Sequence, residues 1–269
     1  MPVQNTVTNG VYALLTLRVY QASRDPRFNH VFLAAGLDLD ACQRAWLGQI
    51  GWLNQWMEAT PGDASLLLRT PVGELMRERV STFQKVTPPG IRYWDAMFRT
   101  NLTWTGDQGL LIGALREARA AWNRSLPMPD ALGRYPQLLQ GVFRLVFKPR
   151  SYGAVPGVYP LPWLEYGAAD PYRALPPGQD LDISDYLTGI AVFMRYALRA
   201  YRADPALLAP YRNQVLACAN GIVQSGFGSA VAPVGGCEGF GPEGGAVEDQ
   251  MTPYVNRLAS LLLAIEMAR

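Results

Sequence analysis

Trp104-Thr105-Gly106-Asp107-Gln108-Gly109 is the stretch from which the fold is read. Directly after it Leu110, Leu111, Ala114, Leu115, Ala118 and Trp122 recur at steps of three and four, which lines one face of a helix with apolar side chains. The hexapeptide is therefore a helix N-terminus, where the first backbone N–H groups have no intrahelical acceptor. Thr105 or Asp107 fits there as a cap. A ring, a hydroxyl, a carboxylate and an amide in one place also fit a ligand site, and the sequence leaves both roles open.

Composition narrows the possibilities. In 269 residues 49% are hydrophobic and 17% charged, which excludes disorder and suggests extensive burial in a single domain over 1–269. The net charge of +2 comes from interspersed signs with no basic block, so nucleic acid is not expected as a partner. Cys42, Cys218 and Cys237 fit no metal-ligand spacing and read as small buried hydrophobes. His30 is the one histidine, so no His-based metal site or His-dependent acid–base chemistry is expected, and catalytic candidates are carboxylates. No GxxxxGKS, GxxxxGKT or strand-bracketed GxGxxG occurs, so no nucleotide cofactor is expected. No run is long and apolar enough to span a bilayer, and residues 1–20 lack the charged start and small-residue cleavage site of a secretory leader.

Helices dominate the periodicity. The first is expected from about Gly10, capped by Thr6, Thr8 or Asn9, with Val11, Leu14, Leu15 and Val19 as its apolar stripe. A short helix through Phe28 and Phe32 follows, then one capped by Asp40 with Trp46, Ile50, Leu53 and Met57 inward, making a helical hairpin. Residues 60–103 read as a first insert, with an extended Leu66–Leu68 and a polar helix from Val72 to Phe83. Phe143 to Phe147 alternates like a strand, and the Pro-, Gly- and Tyr-rich 148–182 reads as a second insert that covers a cleft or packs as a connection. Tyr186, Ile190, Phe193, Met194, Ala197 and Tyr201 make another stripe, and Leu208, Tyr211, Val215, Cys218 and Ile222 line its partner. Thr252 and Pro253 read as the cap and first residue of the last helix, with Val255, Leu258, Leu262 and Ile265 inward.

Three helices open alike, at Thr8-Asn9-Gly10, Asp107-Gln108-Gly109 and Leu187-Thr188-Gly189. Repeated hairpins indicate an array of similar units, an all-α fold. If those helices share a direction, their polar starts converge on one rim over an apolar core.

At these residues the chain resembles glycoside hydrolase family 76, the endo-α-1,6-mannanases. Trp104 through Leu115 is similar to that family's Trp-Thr-Tyr-Asn-Gln-Gly segment and the helix after it, and Thr8-Asn9-Gly10-Val11-Tyr12-Ala13 to its Thr-Asn-Gly helix start. Asp185-Tyr186-Leu187-Thr188-Gly189 through Arg195-Tyr196 resembles its late helix with an Arg-Tyr pair. The resemblance implies an (α/α)6 toroid around a carbohydrate cleft and retaining hydrolysis by two adjacent aspartates, one protonated to assist departure and one ionised to attack.

This chain departs from that pattern. It has no Asp-Asp pair, and the family's pair precedes the Thr-Asn-Gly helix, so the resemblance covers only the later part of a toroid. Asp107 stands where the family usually has Asn. Of the carboxylates Asp95, Asp107, Asp182, Asp185, Glu243, Glu248 and Asp249, the pair Asp107 and Asp185 is taken as catalytic, with Asn9, Trp104, Thr105, Gln108 and Tyr186 holding an oligosaccharide or polysaccharide. A non-catalytic carbohydrate-binding or scaffold protein is the alternative; an epimerase on a similar toroid is expected to need more histidines than His30. A partial toroid leaves an apolar flank, so a homodimer, the inserts or a missing N-terminal segment is expected to cover it.

Overall fold

The structure, a computed structural model, describes residues 4–58, 66–80, 102–123, 125–152, 155–165, 189–225 and 247–269. In chain order these form β1 (Gln4–Asn5), α1 (Thr6–Arg24), α2 (Asn29–Ala34), α3 (Leu39–Glu58), β2 (Leu67–Thr70), β3 (Gly73–Met76), β4 (Arg79–Val80) and β5 (Leu102–Trp104). There follow α4 (Thr105–Ala121), α5 (Asp130–Gly133), α6 (Tyr135–Val146), β6 (Phe147–Tyr152), β7 (Val155–Pro160), β8 (Trp163–Glu165), α7 (Gly189–Ala203), α8 (Pro205–Leu208), α9 (Arg212–Gln224) and α10 (Val247–Ala268). The fold is mostly helical, and its strands pair only in twos among the described residues. No described helix is long and apolar enough to cross a membrane.

Four helices lie side by side in one direction. Gly10 of α1 sits against Leu110 and Leu111 of α4, and further along the same pair Arg18 reaches Glu117. Gly106, Gly109 and Gly113 of α4 sit against Gly189, Phe193 and Tyr196 of α7. The Ala191 N–H of α7 donates to Asn256 Oδ1 of α10 at 2.8 Å, and Arg202 pairs with Glu266. Residue numbers rise together in every pair, so α1, α4, α7 and α10 are parallel. Behind them α3 packs on α1, α6 on α4, and α9 on α10.

Glycine sets the spacing of the middle pair. A Cβ on Gly109 would run into the Phe193 backbone and one on Gly113 into the Tyr196 ring, so α4 and α7 approach more closely than larger residues allow. With neighbours on nearly every side, α4 buries Leu111, Ile112, Ala114, Leu115 and Ala118 to 2% exposure or less. Phe143 of α6 meets Phe193 of α7 at a ring distance of 5.3 Å, which joins the two layers through one core.

The strands belong to a repeated unit. Residues 4–80 and 102–165 each run strand, front helix, back helix, hairpin, strand, with the last strand antiparallel to the first. In the first unit the Thr6 N–H donates to the Glu78 carbonyl at 2.9 Å and Thr6 Oγ1 to that of Arg77 at 2.5 Å. In the second the Thr105 N–H donates to the Pro162 carbonyl at 2.9 Å and Thr105 Oγ1 to that of Leu161 at 2.5 Å. Thr6 and Thr105 are thus equivalent, as are Gly10 and Gly109.

Several sequence expectations are corrected. Val72 to Phe83 is not a helix where described: Thr70 Oγ1 accepts the N–H groups of Val72 and Gly73 and donates to the Gly73 carbonyl, closing a tight turn that pairs β2 with β3. Phe143 to Val146 is helical, because Leu138, Leu139, Val142, Phe143, Leu145 and Val146 form one buried face of α6. Thr252 and Pro253 lie within α10, which starts at Val247. On α1 the buried face is Gly10, Ala13, Leu14 and Leu17, while Val11 and Leu15 are exposed. On α10 it is Asn256, Ser260, Leu263, Ala264 and Met267, and the expected inward stripe of Val255, Leu258, Leu262 and Ile265 faces solvent.

Candidate functional site

The parallel row gathers the starts of α1, α4 and α7 at one rim, where the positive ends of three helix dipoles point the same way. Five of the seven candidate residues lie where this rim can be described. Asp185 and Tyr186 lie outside the described residues, as do Asp95, Asp182 and Glu243.

Thr105, Asp107 and Gln108 are buried, each at 1% exposure or less. Thr105 spends its hydroxyl on Leu161, as above. Gln108 binds the backbone of Met76 on both sides: its Nε2 donates to the Met76 carbonyl at 2.5 Å, and its Oε1 accepts the Met76 N–H at 2.8 Å. The amide thereby imitates a neighbouring strand and ties the front helix of the second unit to the hairpin of the first. Asp107 stands in the first turn of α4, where the N-terminal dipole favours a carboxylate.

Trp104 is half-buried, its indole lying against Gly106 and Gly189, so the ring bridges the starts of α4 and α7. Asn9, also half-buried, accepts a hydrogen bond from Gln49 Nε2 at 3.2 Å, which links α1 to α3. The rim therefore unites Trp104, Thr105, Asp107 and Gln108 in one joint, with Asn9 one helix away.

A cleft of about 660 Å³ opens elsewhere, between β3 and the helices α5 and α6. Its charged lining is Glu74, Asp130, Arg134 and Arg144, joined by Gln137 and Gln140, with Met128 and Pro129 as an apolar wall. Glu74 is held by Arg69 at 3.4 Å and Arg134 at 3.7 Å. Arg144 directs Nε to the Tyr211 hydroxyl at 3.0 Å, Nη1 to the Val72 carbonyl at 3.2 Å and Nη2 to Gln140 Oε1 at 3.4 Å. These bonds fix the guanidinium plane at the cleft wall and leave two of its five donors for a ligand.

Sequence reasoning missed this cleft because its residues belong to two units and three elements. The β-turn signal at Thr70-Pro71-Val72-Gly73 was legible, and it places Glu74. Asn256 was missed as well; it is fully buried and supplies the acceptor for an N–H in the first turn of α7. Compared with known proteins, the chain matches no family model, no curated protein and no solved structure.

Proposed function

We propose that this chain is a carbohydrate-binding protein built as an arc of an (α/α) toroid, similar in design to the endo-α-1,6-mannanases, and that a neutral glycan occupies the cleft between β3 and α6. The cleft lining carries this reading. The lining mixes two carboxylates with two guanidiniums, and the exposed Arg69 adds a third on Glu74 from outside it, so a polar ligand is favoured over a strongly charged one, and planar amide, carboxylate and guanidinium groups suit paired hydroxyls. Met128 and Pro129 offer an apolar wall for the C–H face of a sugar ring. The volume falls within the ~300–1,000 Å³ of small-molecule sites. The alternation of front and back helices supports the toroid, and the apolar flank of its end helices supports a homodimer.

A glycosidase using Asp107 and Asp185 is the second reading, favoured by the position of Asp107 at the rim between α1 and α7. Calorimetry with α-1,6-mannan oligosaccharides and a glycan panel, run beside a hydrolysis assay, separates the two. Gly133 lines the cleft, and a Cβ built there meets nothing within 4 Å, so Gly133→Phe is tolerated by its surroundings and is expected to narrow the cleft. Binding that Gly133→Phe abolishes supports the cleft; binding that survives it removes the cleft from consideration. Turnover that Asp107→Asn abolishes in a folded protein would establish the glycosidase.

A further inference from the structure

Among the described residues, both ends of the parallel row carry an apolar stripe with no neighbouring helix. On α10 Val255, Leu258, Leu262 and Ile265 follow a spacing of three, four, three and are 48%, 52%, 44% and 50% exposed. That is the a/d pattern with which helices pack on other helices, set opposite the face that α10 already buries. On α1 Val11, Tyr12 and Leu15 are 48%, 47% and 55% exposed.

The unit repeat says what belongs on α1. Since Thr6 is equivalent to Thr105, Val11 corresponds to Leu110 and Arg18 to Glu117, the residues through which α4 receives its preceding neighbour. Among the described residues, no helix occupies the corresponding face of α1. Charges along the row alternate in the same register: Arg18 on α1, Glu117 on α4, Arg199 and Arg202 on α7, Glu266 on α10. The next helix beside α10 should present a cation.

We infer that a second copy of this chain docks head to tail, α1 of one protomer against α10 of the other. Followed from helix to helix through the contacts above, Leu258 stands at the height of Val11, Leu262 at that of Leu15, and Glu266 within a turn of Arg18. Apolar meets apolar, and the charge alternation continues across the junction. A two-fold axis parallel to the helices makes the contact twice and closes a ring of eight front helices, covering both stripes on both copies. The inference rests on the toroid arrangement proposed above and is independent of the sugar chemistry.

Sedimentation of the full 269-residue chain tests it. The protomer is 29.6 kDa, and a particle of twice that mass is expected. Leu262→Glu and Leu15→Lys should each yield monomers with unchanged circular dichroism, and an equimolar mixture of the two should regain the dimer, because each variant keeps the surface the other lacks. A monomeric parent at micromolar concentration would overturn the inference and point to another segment as the occupant. So would a Leu15→Lys variant that stays dimeric, which would mean α10 pairs with itself, or assembly that grows without closing. Glycan binding is measured on the same samples: its loss with the dimer intact sinks only the carbohydrate reading.

Discussion

Gln108→Ala should be among the most damaging single changes in this protein. Met76 is fully buried, and its backbone N–H and carbonyl both end on the Gln108 amide. Truncation orphans both, at ~1–3 kcal/mol for each buried group. The vacated amide volume adds a cavity term of about 1 kcal/mol. The total, about 3–7 kcal/mol, is a large share of the ~5–15 kcal/mol that holds an ordinary domain together. Urea unfolding should show it directly, and the melting temperature should fall by about 2–4 °C for each kcal/mol. Gln108→Glu adds a pH signature. At neutral pH a carboxylate oxygen would face the Met76 carbonyl, acceptor against acceptor; once protonated, Glu matches Gln in shape and can donate. The folded carboxyl is thus held protonated, and the variant should regain stability as pH falls through the ordinary Glu range near ~4.3 and above. A loss below about 1 kcal/mol for Gln108→Ala would refute the tie to Met76, and altered glycan affinity at unchanged stability would make Gln108 a ligand-binding residue instead.

Glycine substitutions should divide by location. Gly109→Ala, whose Cβ meets the Phe193 backbone, should cost more than about 2 kcal/mol, whereas Gly48→Ala on an open face of α3 should gain about 0.5–1 kcal/mol, both read by chemical denaturation. Thr105→Val should cost about 1–2 kcal/mol by orphaning the Leu161 carbonyl, and Thr105→Ser should be near neutral because it keeps the donor. Hydrogen bonds from Arg202 hold the Glu266 carboxyl below its ordinary pKa, as Arg44 does for Asp38, and Arg27 lowers Asp25 to about 2. Each contribution is present above the unfolded carboxylate pKa and lost as pH falls toward the folded value, so stability should decline below about pH 4. Glu266→Gln should flatten part of that decline in melting curves taken across this window.

The chain reveals its helices readily and its joints poorly. Trp46, Ile50, Leu53 and Met57, and again Leu208, Tyr211, Val215, Cys218 and Ile222, are buried as their spacing predicts, because each of these helices has a single face to bury. Periodicity misleads on α1 and α10 for the opposite reason. Each carries apolar residues on two faces: on α10 the more regular stripe in the sequence is the one left in solvent, and on α1 Val11 and Leu15 of the expected stripe are exposed while Leu14 is buried. The segment from Phe143 to Phe147 alternates over five residues, too short a window to distinguish a strand from the end of a helix with one wide buried face. The hairpins β2–β3 and β6–β7 read as irregular inserts although each pairs within itself, because the helices they pack against, α6 and α9, lie far along the chain and are invisible to local pattern.

The unit repeat also separates what is general in Trp104-Thr105-Gly106-Asp107-Gln108-Gly109 from what is particular. Thr105 and Gly109 have counterparts in Thr6 and Gly10, which open α1 in the same manner. Their presence is explained by how a front helix starts, and a resemblance that rests on them is to that extent a resemblance of joints. Trp104 and Asp107 have no such counterpart; Asn5 and Thr8 occupy those positions in the first unit. If any residue of the stretch carries chemistry, it is one of these two. Asp107→Asn, which restores the amide of the resembled family, should keep the fold and abolish turnover if Asp107 acts as an acid or base. Trp104→Leu should weaken glycan binding if the indole face is a platform, and should only lower stability if the ring serves to join α4 to α7. Two stable variants with unchanged affinity and no parent turnover would leave the cleft at Glu74 and Arg144 as the place where a glycan is held.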